Sequence, residues 1–139
     1  PITTDGGISP VPLDPNRLEP AVVAFLCEPH VATLTTLRAD GSPHVVPVGF
    51  AYDPAARIVR IISAAGSQKV RNAERGGRAA VTQVDGGRWL TLEGAVRLRT
   101  DPESVAAAVA AYAERYQPPR PREDRVAIEI DVDRIMGRG

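Results

Sequence analysis

The sequence predicts a mainly β protein: a six-stranded antiparallel β-barrel with short accessory α-helices. Three observations carry that prediction. Runs of β-branched and apolar residues recur along the chain, as in residues 31–38 and 58–64. Tight turns containing glycine or proline separate most of them, Asp40-Gly41 and Asp85-Gly86-Gly87 most clearly. The length of 139 residues supports one domain with one core.

Each element follows in chain order. Residues 1–16 hold Gly and Pro clusters without periodicity and read as a flexible N-terminal arm ahead of a barrel domain spanning 17–139. Residues 17–28 read as a helix that buries Val22, Val23, Phe25 and Leu26 and stops at Pro29. The first strand is 31–38, the hairpin turn 39–42, the return strand 43–52 and the third strand 57–64. A short helix covers 67–74 and ends at Gly76-Gly77. The fourth strand is 78–84. The fifth, 88–100, puts Leu90, Leu92, Val96 and Leu98 on one face and Trp89, Thr91 and Glu93 on the other. Asp101-Pro102-Glu103 is a helix start, with an N-cap, Pro at N1 and an acid in the first turn. Val105, Ala108, Val109, Tyr112 and Tyr116 follow at helical spacing. The sixth strand, 125–135, turns Val126, Ile128, Ile130 and Val132 inward and Glu129, Asp131 and Asp133 outward.

Composition excludes several classes of function. The formal net charge is zero, which removes bulk attraction to nucleic acid or to a membrane surface. No run is apolar and long enough for a transmembrane helix, and no signal-peptide pattern opens the chain, so a cytoplasmic protein is expected. One Cys (Cys27) and two His (His30, His44) supply no usual zinc ligand set, and no metal site is expected. Cys27 reads as a small core residue, and both histidines as structural or rim residues. There is no GxSxG, GxGxxG or Walker-type loop, and no paired acid/base site is visible. No catalytic side chain is assigned; a cofactor would carry the chemistry.

Three features point to such a cofactor. The chain has sixteen arginines and a single lysine, and Lys69 lies in Gly66-Ser67-Gln68-Lys69, between a strand and a helix start. Backbone N–H groups, a capping serine and a lysine one turn in suit a phosphate. The same residues also suit a plain capped helix with a solvated lysine. Arg57, Arg60, Arg71, Arg75 and Arg78 form a basic group in the sequence around it, either a solvated face or an anion groove. Second, residues 45–51 are apolar on both faces, with Pro47 unable to donate a ladder hydrogen bond and Gly49 leaving room above the backbone. A planar ring, a partner subunit or a barrel corner with a bulge would each account for this. Third, Trp89 faces outward, as an interface or ligand contact does, or packs under a helix.

In order, ATLTTLRADGSPHVVPVGF, IVRIISAAGSQKVRNAERG and RWLTLEG resemble the flavin- and deazaflavin-binding split β-barrels related to pyridoxamine 5′-phosphate oxidase. Within that superfamily they are most similar to the F420-dependent oxidoreductases of the biliverdin reductase subgroup. The resemblance spans residues 17–137. It implies a six-stranded, FMN-binding-like split barrel and a homodimer with two cofactor sites at its interface. It implies that Ser63, Ser67 and Lys69 hold the cofactor phosphate and that the backbone of Val46, Pro47 and Val48 lies along the ring. Trp89 stands where flavin-oxidising relatives often carry a ring-contacting glutamine. Arg60 and Arg71 fit the acidic tail of the deazaflavin. The C-terminal Arg-x-His segment of pyridoxamine phosphate oxidases is missing. The implied activity is hydride transfer from reduced coenzyme F420 to an organic substrate, with biliverdin, a tetrapyrrole, leading. Arg38 and Arg88 are candidates for its propionates. The alternatives are an FMN-dependent enzyme of the same fold and a non-catalytic cofactor or tetrapyrrole carrier.

Overall fold

The computed structural model describes residues 11–138. Eight strands and three helices follow one another: β1 (Val11–Leu13), α1 (Pro20–Cys27), β2 (Ala32–Leu37), β3 (Pro43–Val48), β4 (Ala51–Asp53), β5 (Ile58–Ala64), α2 (Gln68–Glu74), β6 (Arg78–Asp85), β7 (Arg88–Arg99), α3 (Pro102–Arg115) and β8 (Arg125–Arg138). Every strand pairing is antiparallel, and the sheet runs β3-β2-β6-β7-β8-β5-β4. Its two edges, β3 and β4, are joined by Gly49-Phe50 alone. Two residues reach only about 7 Å, so the sheet must curl until its edges nearly meet. That is a split barrel. The apolar sides of the strands meet inside it: Leu34, Phe50, Val59, Ile61, Val81, Leu90, Leu92, Ile128, Ile130 and Ile135 are fully or almost fully buried. Phe25 of α1 closes one end.

The sequence expectation holds for most elements and is corrected in three places. The expected return strand is two strands, β3 and β4, rather than one. At the break, Phe50 N–H donates to Tyr116 Oη at 3.2 Å, and the Arg115 guanidinium donates to Phe50 O at 2.6 Å. A Cβ on Gly49 would lie 2.9 Å from Tyr112 Cε2 and 3.1 Å from Tyr116 Cε2. The room above Gly49 is therefore filled by the chain's own tyrosines, not left for a planar ring. Second, part of the expected arm is structured. β1 pairs with the end of β8, Val11 opposite Gly137 and Leu13 opposite Ile135. Residues 1–10 of that arm lie outside the described residues. Third, Glu129 points away from the barrel interior but is 6% exposed. α3 packs on β4, β5 and β8, on the outer face that carries Glu129, and Arg97 Nε and Arg99 Nε donate to its carboxylate at 2.9 and 3.3 Å.

β8 holds the sheet together. One edge pairs with β7 along nearly its whole length; the other pairs first with β5 and then with β1. Its register against β7 slips at Glu93/Gly94, so that Asp133 is the extra residue of a bulge. Gly94 is required there, since a Cβ would fall 1.8 Å from Asp131 O. Arg78 holds Asp133 with two hydrogen bonds, at 2.9 and 2.6 Å. No helix among the described residues is long and apolar enough to cross a membrane.

Candidate functional site

Among the described residues β3 is an edge strand: it pairs only with β2, so its other row of backbone N–H and C=O groups has no strand partner there. Val46 and Val48 turn their side chains toward the core. Val45 and Pro47 turn theirs to the outside, where Val45 is 57% exposed. An open backbone edge beside Pro47 is where polar groups on the rim of a flat ring can be read.

The start of β3 meets α2. Asn72 of α2 donates to Thr36 Oγ1 of β2 at 3.0 Å, and the Arg75 guanidinium donates to Leu37 O at 2.7 Å. These bonds dock α2 beside Thr36, which pairs with His44. Ser63, at the end of β5, is buried, and its hydroxyl lies 3.0 Å from that of Ser67, the N-cap residue of α2. The Ser67 side chain makes no cap hydrogen bond. Lys69 is half-buried; burial pushes its ammonium down from the usual lysine range, and no carboxylate among the described residues acts on it. His44 Nδ1 is buried without a hydrogen-bond partner among the described residues. Burial first, then the Arg38 and Lys69 cations, push the imidazole below its usual range. Two serine hydroxyls, a desolvated ammonium and an orphaned imidazole nitrogen thus gather at one end of the barrel. Buried polar groups of this kind cost free energy until an acceptor with negative charge reaches them.

The structure does not bring every expected residue to this end. Ser63 and Arg60 are three residues apart on β5 and therefore on opposite faces of the sheet. Arg60 lies on the outer face, within 3.5 Å of Asp53 Oδ2. Arg71 turns back on its own helix and donates to Gly66 O and Gln68 Oε1, both at 2.7 Å. The basic group read around Lys69 disperses: Arg57 bonds Asn16, Arg78 bonds Asp133, and only Arg71, in α2, and Arg75, its C-cap residue, stay on the lysine's element. Trp89 pairs with Val84, five registers along the sheet from the Ala79–Gly94 pair. Within one chain that is roughly 16 Å at 3.3 Å per residue. Trp89 shares the outer face with Val45 and Pro47, not the serine end.

Arg88 is removed from the candidates for holding a substrate acid. It donates to both Glu28 oxygens at 2.9 Å and to Asp85, and its guanidinium lies 4.3 Å from the Phe25 ring centre. Glu28, His30 and Asp85 place ligand atoms within 4.8 Å of one another, but this same guanidinium already pairs with both carboxylates. Arg38 donates to Pro43 O at 2.6 Å and has no carboxylate partner among the described residues, so it remains. Cys27, expected in the core, is exposed, because it falls on the face of α1 opposite Phe25. His44 is the residue that reading the sequence undervalued. Its signal was alternation: it shares parity with Val46 and Val48, so it points inward.

A curled antiparallel sheet with an open edge strand and a cationic, hydroxyl-lined end defines the class of small cofactor-binding split barrels. The chain belongs to the pyridoxamine 5′-phosphate oxidase family, whose sequence pattern matches residues 18–138. It is 52% identical over 122 residues to a protein of Mycobacterium tuberculosis (strain CDC 1551 / Oshkosh) named F420H(2)-dependent biliverdin reductase, covering 88% of this chain and 89% of that one. Among solved structures it is similar to an F420 reductase, at TM-score 0.66 and 28% identity, over 81% of this chain and 93% of that one. It also shares its fold with the conserved hypothetical protein Rv2991 of Mycobacterium tuberculosis, at TM-score 0.72 and 24% identity, over 88% and 86% of the two chains.

Proposed function

We propose that this protein is an F420-dependent reductase that reduces biliverdin. The observation that carries the reading is its 52% identity, over nearly the whole chain, to a protein named for that activity. The barrel end supports it. Ser63, Ser67 and Lys69 suit a cofactor phosphate, and His44 adds an unpartnered ring nitrogen on the same side. Because α2 has only seven residues, its dipole adds little, and these side chains carry the affinity. The open backbone edge from Val46 to Val48 positions the ring system. When bound, the reduced deazaflavin supplies a hydride. The chain's part is to fix the donor and acceptor carbons in register and to keep water out between them. No side chain is assigned as acid, and solvent delivers the proton. Arg38 is the arginine placed to meet a propionate.

The protein acts as a homodimer in this reading. The outer face of β3, β2, β6 and β7 carries Val31, Leu37, Val45 and Val84 exposed, with Pro47 and a half-buried Trp89 among them. A second chain laid on it covers this apolar surface and brings Trp89 to the partner's cofactor. Sedimentation then gives twice 14.8 kDa; a monomer at micromolar concentration removes the shared site. The cofactor assignment is tested by titrating the purified protein with F420 and with FMN separately. Binding of F420 in preference to FMN is expected, and the reverse makes it an FMN enzyme.

A further inference from the structure

A cavity of about 530 Å³ lies on the outer face of the sheet, away from the serine end. Its walls are the end of α1, β4, Arg60 of β5 and one side of α3. Two arginines line it, and they differ. Arg115 is engaged with Glu28 O, Phe50 O and Gln83 Oε1. Arg60 is not. Its one hydrogen-bond partner among the described residues is Asp53 Oδ2, at 3.5 Å, the outer limit of a hydrogen bond. The other Asp53 oxygen already accepts the N–H groups of Ala55 and Ala56. Arg60 Nε is buried with no hydrogen-bond partner among the described residues. An arginine side chain four-fifths buried whose Nε–H is left unmatched is costly unless an acceptor meets it.

We propose that this cavity binds a small organic monocarboxylate, its acid group on Arg60 and its apolar body against α3. A guanidinium fork matches a carboxylate with two parallel bonds. Ala107, Ala110 and Ala111 give α3 a flat apolar wall, and Leu26 faces it from α1. The volume falls in the range of small-molecule pockets. Asp53 and Glu114 also line the cavity, and two carboxylates beside one available cation repel polyanions. They favour a single acid over a phosphate dianion or an acidic peptide tail, which also counts against Arg60 as a holder of such a tail.

Cys27 lines the same cavity and is the chain's single cysteine, so its alkylation reports occupancy. The experiment uses the full chain with no cofactor added, so its outcome is independent of the reductase reading. Benzoate is the probe and benzyl alcohol its neutral counterpart. Benzoate at about ten times its Kd should slow alkylation of Cys27 by iodoacetamide about tenfold and shift the Arg60 Nε–H resonance, while benzyl alcohol does neither. Arg60→Gln should abolish the protection. Should that variant not fold, Ala110→Leu, which fills the cavity from the solvent side of α3, should abolish it too. Glu114→Gln should strengthen it. Equal protection by benzyl alcohol, protection that survives both Arg60→Gln and Ala110→Leu, or a silent Arg60 resonance at saturating benzoate would overturn the proposal.

Discussion

The two ends of β3 lie in opposite kinds of polar surroundings. Where the strand leaves for β4, the donors that hold the Gly49-Phe50 break are matched: Tyr116 Oη donates to His30 O at 2.7 Å and accepts from Phe50 N, and Arg115 serves three acceptors and stacks over Phe50 at 4.6 Å. Where the strand begins, Lys69 has no carboxylate acting on it and His44 Nδ1 has no partner among the described residues. Burial lowers both Arg115 and Lys69 from their usual ranges. For the arginine, hydrogen bonds offset that cost; for the lysine, nothing in the described chain does. Polar groups matched within the chain fix its shape, whereas polar groups left unmatched mark where a ligand completes the structure.

Substitutions at the two ends should therefore separate stability from binding. The largest effect belongs to the matched end. Arg115→Met removes the guanidinium bonds to Glu28 O, Phe50 O and Gln83 Oε1, of which Gln83 Oε1 is left with no other donor among the described residues, and should cost about 3–5 kcal/mol of folding stability, read as a lower midpoint in urea; a loss below about 1 kcal/mol would mean that water replaces the arginine easily. Lys69→Ala should do the converse. Cofactor affinity drops by about 1.5–3 kcal/mol, roughly ten- to a hundredfold in Kd, while the melting temperature holds or rises because a desolvated charge is gone. An unchanged Kd in a fluorescence titration would reject the phosphate assignment.

Gly49→Ala sharpens the matched end. Its Cβ meets the Tyr112 ring, so about 1–3 kcal/mol of overpacking strain is expected, and Tyr112→Leu in the same chain should recover part of it. A purely additive double mutant would place the strain elsewhere. The smallest effect is at the exposed Glu28–Arg88 pair. Bonds from Arg88 first, then from His30, hold the Glu28 carboxyl down at about 2, against 4.5 ordinarily. A depressed carboxylate stabilises the fold fully above its ordinary value and loses that contribution as pH falls through about 2. Wild type and Glu28→Gln should thus differ slightly at neutral pH and converge in acid. A gap that persists at pH 2 would assign the difference to packing.

How much of this was legible in the sequence depends on how local its cause is. The Asp85–Arg88 turn, with Gly86 at φ 62°, and the Asp101 cap, accepting from Ser104 N–H at 2.9 Å, are set by neighbouring residues and could be read directly. The leucine stripe of β7 followed from alternation, and Leu90 and Leu92 are fully buried. The break at Gly49-Phe50 was hidden because its cause, Tyr116, lies 66 residues on. Glu129 was read as outward, as it is, but nothing in β8 shows that α3 covers that side. At the candidate site, Ser67 and Lys69 could be read from the strand-to-helix junction because that segment is continuous, whereas Ser63 came only with the family resemblance. Arg60 was grouped with it by nearness in sequence, which strand parity overrules, and His44 joins it only through the pairing of β3 with β2.

The most direct test of the central claim is anaerobic mixing of the protein with reduced F420 and biliverdin, following loss of biliverdin absorbance and appearance of bilirubin. The account predicts bilirubin formation well above the rate without protein, with Lys69→Ala needing at least about tenfold more F420 to reach half the rate. Bilirubin formation no faster than the uncatalysed rate, with F420 demonstrably bound, would contradict it.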